Sequence, residues 1–228
     1  MTFVDTIALQ LFTISFVAVL LFYAGITTYW EYMKRGFKEA YKLMRAQAVL
    51  LSTIGIVILV IGLWGEFVWP LSAIVSGSNV LGAYDILFYD PYLMMGMALL
   101  GFSACVMLRL NTRYAGLFAL MVGALSIYYG TNAYDLGLTK EPTIMLLLYV
   151  AFGITGIFSF PFTLFIDRII MEPLQGESTD NLTQKPLTSF WKFALACFVI
   201  FLLFSAISAI LAIFIGGGAL APHLQNPP

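Results

Sequence analysis

Ala48-Val49-Leu50-Leu51-Ser52-Thr53-Ile54-Gly55-Ile56-Val57-Ile58-Leu59-Val60-Ile61-Gly62-Leu63-Trp64-Gly65-Glu66-Phe67-Val68-Trp69 carries one charge, Glu66, with Lys42 and Arg45 just before it and Pro70 just after. As a helix, these about 22 residues measure about 33 Å, enough to cross about 30 Å of hydrocarbon. Working outward from this stretch, the same criterion finds five more spans. The six lie at about 3–29, 48–69, 91–110, 113–130, 142–168 and 190–216. The fold class expected is therefore all-α, an integral membrane bundle of six transmembrane helices forming a single transmembrane domain over 1–228.

The composition agrees. Of 228 residues, 61% are hydrophobic and 10% charged, with mean hydropathy +0.94, whereas a water-soluble domain carries about 25% charged residues. The first span is no cleaved signal peptide: it has Asp5 in place of a basic start, too long an apolar run, and no small-residue cleavage site at Thr27-Thr28-Tyr29-Trp30. Two Cys and one His are too few for a bis-histidine haem, a four-cysteine cluster or an H-E-x-x-H zinc site. No phosphate-binding glycine motif appears, so no cofactor and no metal is expected. A net charge of −1 gives nucleic acid nothing to bind.

Lys and Arg set the orientation. Lys34, Arg35, Lys38, Lys42, Arg45, Arg109, Arg113, Arg168, Lys185 and Lys192 fall on one side of the six-span topology, and Lys140 alone on the other. The positive-inside rule then puts both termini outside a cell membrane. Residues 31–47 form an amphipathic inner-face segment, with Met33, Phe37, Tyr41 and Met44 on one helical face and Lys34, Lys38, Lys42 and Arg45 on another. That pattern fits contact of the four basic residues with anionic lipid, from a helix on the headgroups or an extension of span one. Residues 171–189 are polar and aperiodic, and read as a flexible inner linker. Asn181-Leu182-Thr183 has the form of a glycosylation acceptor but lies on the cytosolic side. Cys105 and Cys197 are expected as free thiols near that face.

Other residues punctuate or pack the helices. Asp90-Pro91 and Glu141-Pro142 read as openings of spans three and five, Asn111-Thr112 as a tight turn, and Gly216-Gly217-Gly218 as the end of span six. Pro161 is expected to kink span five. Ser205, Ala209, Ala212 and Gly216 make a smooth stripe on span six. Such a stripe serves either internal packing or an interface with a second copy.

No acidic or basic residue falls at the middle of these spans. Glu66 comes nearest, about one helical turn, roughly 6 Å, from the outer end. The outer loop 70–90 ends in Tyr84-Asp85-Ile86-Leu87-Phe88-Tyr89-Asp90, too apolar for a solvated loop and able to fold onto the bundle's mouth. It could bring Asp85 and Asp90 to Glu66, as a cation site, as an acid with altered protonation, or as a plug with caps.

Four strings, Tyr84 to Pro91, Ile127 to Gly130, Leu136 to Pro142 and Phe152 to Pro161, resemble an archaeal multi-pass membrane family known as domain of unknown function nine-eight-one. The resemblance covers about residues 30–170, implies an archaeal cell membrane and implies no catalytic residue. The expected function is a non-catalytic membrane subunit that forms a homo-oligomer or supports a larger complex. The alternatives are a small-solute or ion transporter or channel with an outer carboxylate site, and a membrane-embedded enzyme or metal-binding protein using those carboxylates.

Overall fold

A computed structural model describes residues 6–68, 80–176 and 189–225. All regular structure among them is helical: α1 (Thr6–Arg35), α2 (Phe37–Val68), α3 (Val80–Met107), α4 (Arg113–Asp135), α5 (Pro142–Ile166, continued by a π-helical turn Asp167–Met171 and a last turn Glu172–Leu174) and α6 (Ser189–Gln225). Six of these helices are long and apolar enough to cross a membrane. They form an up-and-down bundle in which α2 packs chiefly on α3, α4 on α5, and α6 on both α1 and α5.

Helix ends differ from the sequence reading in four places, and one rule explains most of them: in lipid, a backbone group has no partner but its own helix. The described part of the expected outer loop 70–90, residues 80–90, is helix throughout, since α3 runs from Val80, and Pro91 lies inside it; residues 69–79 fall outside the described residues. Helix α6 continues through Gly216-Gly217-Gly218 to Gln225. The expected linker 171–189 begins later, since helix persists to Leu174; residues 177–188, with Asn181, are not among those described. Segment 31–47 is divided at Gly36 (φ 83°), a left-handed position that glycine takes without steric cost. Its second part is the start of α2.

That division changes what the apolar face touches. Tyr41 and Met44 are buried with Ala48, Val106, Ile166, Ile170 and Met171, against protein and not against headgroups. Lys34, Lys38, Lys42 and Arg45 are exposed; Lys42 pairs with Glu39 at 2.6 Å and Lys34 lies over the Trp30 ring. The bundle gathers these with Arg35, Arg109, Arg113, Arg168 and Lys192 at one end, called the basic end below, while Lys140 lies at the other.

Helix pairs approach closest where side chains vanish. A Cβ on Gly123 of α4 would collide with the Gly153 carbonyl and lie 2.7 Å from Ile157 N on α5. Both are backbone atoms, so no rotamer change relieves the clash. Pro161 sits inside α5, which continues on both sides of it.

Gly123→Ala is expected to cost about 1–3 kcal/mol and to lower the melting temperature in detergent. Gly217→Ala, where nothing lies within 4 Å, is expected to leave it unchanged.

Candidate functional site

Tyr89 of α3 lies flat against Gly65 of α2, where any Cβ would overlap the ring, and Trp64 meets the same ring edge-on at 6.5 Å. This close approach, at the end opposite the basic one, brings Glu66 on α2 to Asp90 on α3. The two carboxyls lie side by side, near enough to act on each other. Tyr129 of α4 donates its hydroxyl to Asp90 Oδ2 at 2.6 Å. Glu66 Oε1 is buried and receives no N–H or hydroxyl, and Asp90 is a carboxyl beside it. A hydrogen bond between two carboxyls exists only while a proton lies between them.

Of the three carboxylates singled out by sequence, the structure joins two. Asp85 is buried at 3% exposure but precedes Asp90 by five positions, about 140° around the helix. It is near enough for its charge to act on Glu66. Among the described residues no group of three or more His, Cys, Asp or Glu is placed to hold a metal ion. Asp90 also differs from its expected role: it stands in the interior of α3 and caps no helix start. Glu141 does precede α5, yet makes no side-chain cap hydrogen bond.

Pro91 leaves a gap in the α3 ladder. Without an N–H it cannot bond the carbonyl four residues back, that of Leu87. Tyr149 of α5 fills the vacancy, donating its hydroxyl to Leu87 O at 2.5 Å, within an apolar layer of Leu11, Phe88, Met145, Leu148 and Ala212. Beneath it a cavity of about 30 Å³ is lined by Gln10, Tyr92 and Tyr149 among apolar neighbours. Gln10 is 1% exposed and its Nε2 has no partner. The space suffices for a bridging water.

The stripe on α6 is spent within the chain. Ser205, Ala209 and Ala212 are buried, Ser15 of α1 donates to Ala209 O at 3.1 Å, and a Cβ on Gly216 would touch Leu11 at 3.2 Å. Of the two readings for such a stripe, packing inside the bundle is the one the geometry displays. Cys105 and Cys197 are free.

At the basic end the structure shows a residue that sequence reading missed. Asp167, 2% exposed, accepts hydrogen bonds from Thr112 N at 2.6 Å, Thr112 Oγ1 at 2.7 Å and Arg113 N at 2.9 Å. It caps α4 from the π-turn of α5, taking up the free amides and positive dipole of the helix start. Gln175 donates to Arg109 O at 2.6 Å and Tyr41 to Val106 O at 3.1 Å, closing the carbonyl end of α3. Only the Asp-Arg pair at the end of a long apolar run hinted at this, and it read as a boundary.

Against known proteins, the family described as "Protein of unknown function (DUF981)" matches residues 1–226. The chain belongs to this family. Membership extends the expected match of about 30–170 in both directions, through the 171–189 segment and α6. No curated protein and no solved structure matches the chain.

Tyr149→Phe is expected to leave Leu87 O without a donor and to cost about 1–3 kcal/mol. In a Pro91→Ala background the α3 ladder regains its own N–H, so the same change is expected to cost much less. A double-mutant cycle of melting temperatures measures the difference, and equal costs in both backgrounds would contradict the assignment.

Proposed function

We propose that the chain is a non-catalytic integral protein of the cell membrane, archaeal as its resemblance implies, with both termini outside. It acts as a supporting subunit in an assembly with a partner or a second copy. The outer half is latched by one proton held between Glu66 and Asp90. The observation that carries this reading is that pair: two acids from neighbouring helices, side by side, one of them bonded to Tyr129 of a third helix. Such a contact ties α2, α3 and α4 together while the proton is present and turns repulsive when both acids ionise. The exposed Lys34, Lys38, Lys42 and Arg45 then rest among anionic headgroups of the inner leaflet.

A second reading is a small carrier of protons or monovalent cations. It is favoured by the position of the pair inside helices α2 and α3 rather than in a loop, since ionisable groups within membrane spans commonly mark ion pathways.

Liposomes holding the protein under a proton gradient, together with spin labels at the exposed Phe67 and Ile86, separate the two. With a latch, wild type passes no protons or cations, and the label distance widens as pH rises. Glu66→Gln, which bonds without titrating, shows no widening. Flux in wild type that Glu66→Gln abolishes would establish the carrier instead, and a label distance independent of pH would remove the latch.

A further inference from the structure

Toward the basic end, α3 and α4 leave a gap that the bundle does not close. They are joined by a tight turn yet pack far less on each other than α3 does on α2 or α4 on α5. Between them, and reaching inward to Val17 and Leu21 of α1 and Phe201 of α6, lies the largest of the described cavities, about 100 Å³, floored by Gly116, Gly123 and Gly156 and walled by Phe102 and Phe162. Ala98, Ala119 and Ser159, also in its lining, are half-buried, so the crevice opens sideways to where hydrocarbon lies. Its hydroxyls are already spent: Thr155 donates to Ala151 O, Ser159 to Thr155 O and Thr163 to Phe160 O. The walls offer dispersion contacts and no hydrogen-bond donor, which suits a methylene chain and excludes a hydrophilic solute.

Charge identifies the other end of the occupant. Arg113 lies one helical turn from Gly116, at the basic end of the crevice, and its Nε is buried without a partner. Arg113 is in none of the ion pairs among the described residues. Asp167, the carboxylate nearest in the fold, is held by backbone and hydroxyl donors of Thr112 and Arg113. Arg168 is paired with Glu172 at 2.8 Å; Arg109 and Arg113 each lie over a ring, Tyr41 and Tyr114, a contact that uses the face of the guanidinium and leaves the Arg113 Nε–H without an acceptor. A guanidinium with an unused donor at headgroup depth, above an apolar slot of chain width, matches a phosphodiester with a hydrocarbon tail.

We propose that the crevice between α3, α4 and α5 holds one hydrocarbon chain of an anionic membrane phospholipid whose phosphate sits on Arg113. The site is independent of the Glu66–Asp90 latch and requires only that the bundle lie in a membrane.

The test uses the full-length protein in phosphatidylcholine bilayers containing a minor share of phosphatidylglycerol, with the lipids that remain bound after gentle extraction counted by native mass spectrometry. Wild type is expected to keep phosphatidylglycerol in preference to phosphatidylcholine. Arg113→Gln is expected to lower that retention about fivefold, the weight of one basic group at an anionic lipid surface, and Arg113→Lys to restore most of it. The cap on α4 uses the backbone N of Arg113, so these changes leave it in place. Ala98→Leu keeps Arg113 and fills the crevice, and is expected to displace the lipid as well; melting temperatures confirm that each variant is folded. The four exposed basic residues of 31–47 are unchanged throughout, so the differences report this site. Equal retention of the two lipids by wild type would overturn the proposal, as would folded Arg113→Gln and Ala98→Leu proteins that keep the lipid. Stabilisation by inorganic phosphate equal to that by phosphatidylglycerol would also overturn it, by showing a free-anion site.

Discussion

A backbone carbonyl or amide that loses its helical partner in hydrocarbon has no water to turn to, and this constraint organises the bundle. Where the chain interrupts a helix, another helix supplies the missing partner. Pro91 frees the Leu87 carbonyl and Tyr149 covers it from α5; the start of α4 exposes amides and Asp167 covers them, also from α5. Helix α5 is thus a strut that mends α3 near one end and α4 near the other. The same constraint keeps α6 helical through three consecutive glycines, which in water would favour a stop.

The contacts that bring α2, α3, α4 and α5 together rest on missing side chains. Gly65 admits the Tyr89 ring, and without that approach Glu66 would not reach Asp90. Gly123 lets α4 lie backbone to backbone with α5, which sets Tyr129 where it can bond Asp90. The carboxyl pair is therefore a consequence of packing, and any weakening of the α2–α3 or α4–α5 contacts should be felt there first. The apolar crevice is the complement of this tightness: α4 committed to α5 and α3 committed to α2 leave space between α3 and α4.

Six apolar runs, their spacing and the near-total placement of Lys and Arg on one side were legible in the sequence, because hydrocarbon imposes length and composition on any chain crossing it. Glu66 and Asp90 were legible as candidates too, as carboxylates close to apolar spans. Their meeting was not, since it depends on the register of α2 against α3, set by Gly65 and Tyr89. Asp85 stood equal to Asp90 in sequence, and the difference in helical phase between them became readable only once both were seen to lie in α3. Local signals misread the helix ends at Asp90-Pro91 and Gly216-Gly218, because in water those residues stop helices and in lipid nothing else satisfies the backbone.

The sequence by itself determined that this protein is a helical membrane bundle with one basic end, because burial in lipid is read residue by residue from polarity. Only the tertiary structure decided which carboxyls lie side by side, which side chain mends each broken helix, and where a crevice remains. Those outcomes depend on close approach between distant segments, and a missing Cβ in one helix takes its meaning only from the atom it faces in another.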